Sequence, residues 1–165
     1  MKTRKSGFTL VEILIVVIIL GILAAIVIPQ FTEASSDARE STLTSNLQTL
    51  RSQIGLYKIQ HNDNYPNTED GGATADADAD NFIDRLCNKT DIDGLLDATG
   101  DYGPYMQNVP LNPFQTDDTA PLFRLDGDTT AAGDDSANWV FDAVTGNIWA
   151  DDADASPDGT DHSDL

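Results

Sequence analysis

Residues 8–28, FTLVEILIVVIILGILAAIVI, form an almost unbroken apolar run of 21 residues. That is enough to cross a bilayer core as one helix, which takes roughly 20. The seven residues before it carry Lys2, Arg4 and Lys5 and no acid, and such a basic flank stays on the cytoplasmic side. The expected topology is a single pass, with the N-terminus in the cytoplasm and the C-terminal portion across the membrane. A secretory signal has a shorter apolar core followed by a small-residue cleavage site. No such site follows this run, and the processing point on offer, Gly7–Phe8, precedes it. One residue breaks the pattern. An acid at membrane depth costs about 3 kcal/mol on insertion scales, so Glu12 calls for a function.

Beyond Pro29 the pattern becomes amphipathic. Leu43, Leu47, Leu50, Ile54 and Tyr57 recur at helical spacing on one face. No proline interrupts 30–65, and Asn62-Asp63-Asn64-Tyr65-Pro66 is dense in turn formers. One helix is therefore predicted from Phe8 to His61. Its second half, 30–61, is a stalk whose apolar stripe is too short for a coiled-coil seam and is expected to pack under the chain's own globular part.

That part, 62–150, opens with loops. Residues 81–88 (NFIDRLCN) read as a short helix capped by Asp80 or Asn81, and 91–98 as a further helical turn. Strands are predicted at 122–125, 139–142 and 147–150, the last two joined by a turn at Ala143-Val144-Thr145-Gly146. The expected class is α+β: a long helix against a small antiparallel sheet of three strands, which needs a second layer to bury its apolar face. The tail, 151–165, has no Lys or Arg and is expected to be disordered.

Net charge is −19, and removing the basic head takes it to −22. Four of the 28 acids are Glu and the rest Asp, a residue of turns and caps. Such a chain is repelled by nucleic acid. Cys87 is the one cysteine, so no internal disulfide forms. There is no G-x-S-x-G, P-loop or HExxH, and His61 and His162 are far apart in sequence; no enzyme is expected. Cys87 reads as a small core residue and His61 as a helix-end cap.

At Ser6-Gly7-Phe8-Thr9-Leu10-Val11-Glu12 the chain resembles the N-terminal signal of type IV pilins and pseudopilins, and Pro29 stands where that family has a proline. The resemblance implies that a prepilin peptidase cuts between Gly7 and Phe8 and methylates the new amine of Phe8. It also implies that Glu12 meets that amine on a neighbouring subunit and so sets axial register. The attraction grows as water leaves, and a wrong register strands a buried charge. Gly21 allows close helix approach, and Pro29 lets the segment bend or stretch in a fibre.

Tyr57-Lys58 with Tyr65-Pro66-Asn67-Thr68-Glu69-Asp70-Gly71 is similar to a segment of the major, G-type pseudopilins of type II secretion. Leu111-Asn112-Pro113-Phe114 stands at that group's Pro-Trp turn, without its Trp. The expected function is thus a structural subunit of a secretion pseudopilus, with copies of itself, minor pseudopilins and an inner-membrane assembly platform as partners. The alternatives are a type IV pilus subunit, or a membrane-tethered calcium- or ligand-binding module that never polymerises. Calcium takes six to eight oxygens, and G-type pseudopilins are similar in having a C-terminal calcium loop. Two acidic sets are candidates: Asp126, Asp128, Asp134 and Asp135, or Asp151, Asp154, Asp158 and Asp161.

Overall fold

The computed structural model describes residues 7–69, 74–75, 78–126, 133–156 and 159–165. They fall into two units, 1–38 and 39–165, and one helix, α1 (Leu10–Gln60), contributes to both. In the first unit its apolar side chains are all exposed, Ile13 to Ile19 each at about half of their full surface. It is the one helix among the described residues that is long and apolar enough to cross a membrane. Pro29 lies inside it without ending it. The proline withholds one backbone donor, and the Thr32 hydroxyl donates back to the Ile28 carbonyl at 3.1 Å.

In the second unit α1 turns one stripe inward. Leu43, Leu47, Leu50, Ile54 and Tyr57 are each at most 2 % exposed, the residues that the spacing predicts. Burying an aliphatic side chain is worth about 1.5–3 kcal/mol, so this stripe anchors the domain. Opposite it lie α2 (Ala79–Cys87) and a three-stranded sheet, β3 (Phe123–Asp126), β4 (Trp139–Asp142) and β5 (Ile148–Ala150). Phe82 of α2 packs on Phe123 and Phe141, with ring centroids 4.7 and 4.8 Å apart. A two-residue pair, β1 (Thr68–Glu69) and β2 (Thr74–Ala75), sits apart from this sheet in an antiparallel pairing of its own.

Four details differ from expectation. The sheet is mixed: β4 pairs antiparallel with β5, but β3 runs parallel to it, Phe123 opposite Trp139. The long connection between β3 and β4 permits the crossover that a parallel pair requires. The cap of α2 is Asp78, whose carboxylate accepts from the Asp80 N–H at 3.0 Å, and not Asp80 or Asn81. Residues 91–98 form turns bridged by Thr90 to Leu96 and Tyr102. The described residues of the acidic tail, 151–156 and 159–165, are folded: Asp151, Asp152 and His162 are 0–2 % exposed, Ala155 pairs with Asp161, and a 3-10 turn spans His162–Asp164.

The turn from β4 to β5 shows why its residues are needed. Asp142 accepts from the Val144 N–H at 2.7 Å and from the Thr145 hydroxyl. Gly146 takes φ +76, and a Cβ there would sit 2.0 Å from the Tyr65 ring. The turn therefore needs glycine twice over.

Candidate functional site

The N-terminal segment is built around Thr9. Gly7 to Thr9 are exposed and non-helical, so the Gly7–Phe8 bond lies in open, irregular backbone. Thr9 then caps α1. Its N–H and its hydroxyl both donate to Glu12 Oε2, at 2.8 and 2.7 Å, and the Glu12 N–H returns to the Thr9 hydroxyl at 3.3 Å. This is a reciprocal capping box, and it places a negative charge where the helix dipole favours one. The signal, Thr9-x-x-Glu12, is in the sequence and marks a helix start. Phe8, Leu10, Ile13, Leu14 and Val17 line an open apolar groove beside this cap. Gly21 has nothing within 4 Å of the space that a Cβ would fill, so its side of the helix is open to close approach.

In the acidic loops, Asp134 and Asp151 bond within the fold. Asp128 and Asp158 lie outside the described residues, as does the side chain of Asp126. Asp134 pairs with Arg124 at 2.7 Å; the Ser136 hydroxyl and then this guanidinium hold its carboxyl below the usual range. Asp135 is exposed and takes φ +65. Asp151 is fully buried and saturated. Oδ1 accepts from the N–H groups of Gly133 (2.8 Å) and Asp134 (3.3 Å), and Oδ2 from the Ser136 hydroxyl (3.0 Å) and the Ala137 N–H (2.9 Å), with Arg124 3.3 Å away. It is the internal anchor of residues 133–137.

Asp154 and Asp161 line a polar cavity of about 200 Å³ with Gly133, Asp152, Ala153 and Ser163. Asp152 is already committed to Asn112 and His162. Among the described residues no group of three or more His, Cys, Asp or Glu side chains is placed to hold a metal ion. Each acidic set has a member outside the described residues, Asp128 in one and Asp158 in the other.

Other polar residues of the core are structural. His61 is buried, stacked on Tyr57 at 3.8 Å, with Nε2 2.9 Å from the Thr90 hydroxyl. Burial pushes the Tyr57 phenol well above its ordinary value and that of Tyr105 up to about 12. Cys87 is partly buried, and burial raises its thiol, the opposite of an activated nucleophile.

The chain has relatives in sequence among known proteins. Residues 2–28 match the family model of the prokaryotic N-terminal methylation motif. Type II secretion system core protein G of Aeromonas hydrophila is 32 % identical over 148 residues, covering 84 % of this chain and 94 % of that protein. The protein of that name in Pseudomonas aeruginosa is 31 % identical over 148 residues, covering 84 % and 97 %. That of Dickeya chrysanthemi is 41 % identical over 71 residues, covering 43 % and 46 %. No solved structure matches significantly.

Proposed function

The chain belongs to the type II secretion core protein G family, the major pseudopilins, and from that premise we propose how its own residues build the fibre. The role is structural: a pseudopilus subunit in protein export. Prepilin peptidase cuts at Gly7–Phe8, and the new N-terminus at Phe8 is methylated. The apolar segment from Phe8 to Pro29 anchors the subunit in the inner membrane, with residues 30–165 on the periplasmic side. An assembly platform and minor pseudopilins then supply the surroundings in which copies stack.

One observation carries the assembly step. A lone carboxylate, Glu12, sits on an exposed apolar helix with both of its Thr9 bonds ending on Oε2. A carboxylate has about four acceptor sites, so Oε1 is left for the charged amine of a neighbour's Phe8. In the single subunit the Thr9 donors hold the carboxylate in place. In the fibre the amine adds a charge-assisted bond, roughly twice as strong as a neutral one. Packing of apolar helices alone permits many axial offsets. Only the one that joins amine to carboxylate avoids a stranded charge.

Replacing Glu12 by Gln keeps the size and the Thr9 contacts but removes the charge. The processed Glu12→Gln chain should fold normally and fail to form filaments of regular rise, as seen by electron microscopy. Ordered filaments of native rise would refute the register role. Mass spectrometry of the mature protein should find N-methylated Phe8 as its first residue.

A further inference from the structure

Cleavage at Gly7–Phe8 leaves six basic residues, and five of them are engaged inside the subunit. Arg51 donates to the Ile148 carbonyl at 2.9 Å, Lys58 to the Tyr65 hydroxyl at 2.9 Å, Arg85 to the Pro66 carbonyl at 2.7 Å and Lys89 to the Gly100 carbonyl at 3.2 Å. Arg124 holds Asp134 and Asp151. The sixth, Arg39, is exposed on α1 and has no side-chain partner among the described residues. Its own helix offers none. Side chains three and four residues apart face one another, and around Arg39 these are Ser35, Ser36, Thr42 and Leu43.

The acids of the same stretch are unmatched too. Glu33 and Asp37 are exposed and stand four residues apart on one face of α1, a spacing at which like charges repel. No cation lies three or four residues from either. Glu40, the next acid, is already bound to His162 and Ser156. Arg39 cannot serve Glu33 and Asp37 within one chain. It stands two residues beyond Asp37, which in an α-helix puts it about 200° round the axis, on the far side. It lies one turn before Leu43, on the side of α1 that the core covers from Leu43 onward.

We propose that Arg39 of one copy meets Glu33 and Asp37 of another, an ionic contact between stalk helices in the fibre. The inference rests on the stacking of copies through α1 proposed above, and it adds a second contact to the one at Glu12. The placement of the charges on opposite sides decides the kind of association. A two-fold dimer uses one patch twice, so it cannot match the cation and the acids of both copies. A contact between two different faces is head-to-tail and continues from copy to copy. Every copy inside such a row has both faces matched, and only the end copies do not. Exposed ion pairs add little affinity. Their effect is to select the neighbour and the face it presents, because two acidic faces brought together repel in a chain that already carries −22.

The test counts filaments of the processed full-length chain by electron microscopy at about 0.1 M salt, where charges act over about 10 Å. Glu33, Asp37 and Arg39 are exposed and make no side-chain bond in the subunit, so every variant should keep the wild-type urea midpoint. Arg39→Glu exchanges an attraction for a repulsion at each added copy and should cut filament yield about tenfold. Glu33→Arg together with Asp37→Arg should do the same. Mixing these two chains should restore filaments that contain both, since each supplies the charge that the other lacks. Combining all three substitutions in one chain should restore them as well. Arg39→Glu joined to Asp93→Arg and Asp118→Arg, at two exposed acids elsewhere, has the same net charge as that triple variant and should stay defective. Normal yield from Arg39→Glu overturns the contact, and so does a mixture that stays defective or a rescue by the distant pair. None of these results touches the register role of Glu12, which is read from the rise of Glu12→Gln filaments. Absence of filaments from the wild type overturns the fibre and this contact together.

Discussion

At the scale of single residues, the acids of this chain are not interchangeable. Some face water, whereas Asp151 organises a loop from inside the protein. Four hydrogen-bond donors and Arg124 converge on it. Truncation to Ala would orphan buried N–H groups and free Arg124 from one of its two carboxylates. Asp151→Ala should therefore cost about 2–4 kcal/mol, read from the urea midpoint of the processed chain. Asp135→Ala, at an exposed position outside this network, serves as the control. Glu12 makes the opposite point: its partners in the subunit are local, and Thr9-x-x-Glu12 was legible as a cap from spacing alone.

At the scale of elements, the β4–β5 turn couples structure to pH. Burial pushes the Asp142 carboxyl up, but the Thr145 hydroxyl and the N–H groups of Val144 and Thr145 outweigh it, so the group lies below its ordinary value. A depressed value in the folded state gives stability that is complete above the unfolded value, about pH 4. It is lost as pH falls through the folded value. Wild-type stability should thus drop in that acid window by more than that of Asp142→Asn, measured by urea unfolding across the range. The stripe from Leu43 to Tyr57 was readable because a helix repeats every 3.6 residues and apolar positions declare the period. Strand β4 and its hairpin with β5 were readable from Trp139–Asp142, Gly146 and the runs around them. The parallel pairing of β3 was not, because nothing local in Phe123–Asp126 says on which side, or in which direction, a partner runs.

At the scale of the whole molecule, charge governs association. The processed chain carries −22, and most of its few cations are used internally. Arg51 donates to the Ile148 carbonyl, Lys58 to the Tyr65 hydroxyl, Arg85 to the Pro66 carbonyl and Lys89 to the Gly100 carbonyl, while Arg124 holds Asp134 and Asp151. Stacked copies therefore repel one another. Screening shortens that repulsion from a reach of about 30 Å at 0.01 M salt to about 3 Å at 1 M. Filament yield from the processed chain should rise steeply with salt over this range, as counted by electron microscopy. A yield independent of salt would mean that neighbours compensate the charge some other way.

By itself the sequence determined the long apolar helix, the N-terminal methylation motif, the stalk stripe and the family, because each is written in consecutive or periodic residues. Only the tertiary structure decided that the described residues of the tail, 151–156 and 159–165, are folded. Asp151, Asp152 and His162 look like solvated polar residues in a Lys- and Arg-free stretch. They are buried because their partners, Arg124, Ala137, Asn112 and Glu40, arrive from elsewhere in the chain. A buried charge is tolerated when its bonds are satisfied, and that satisfaction exists only once distant segments meet.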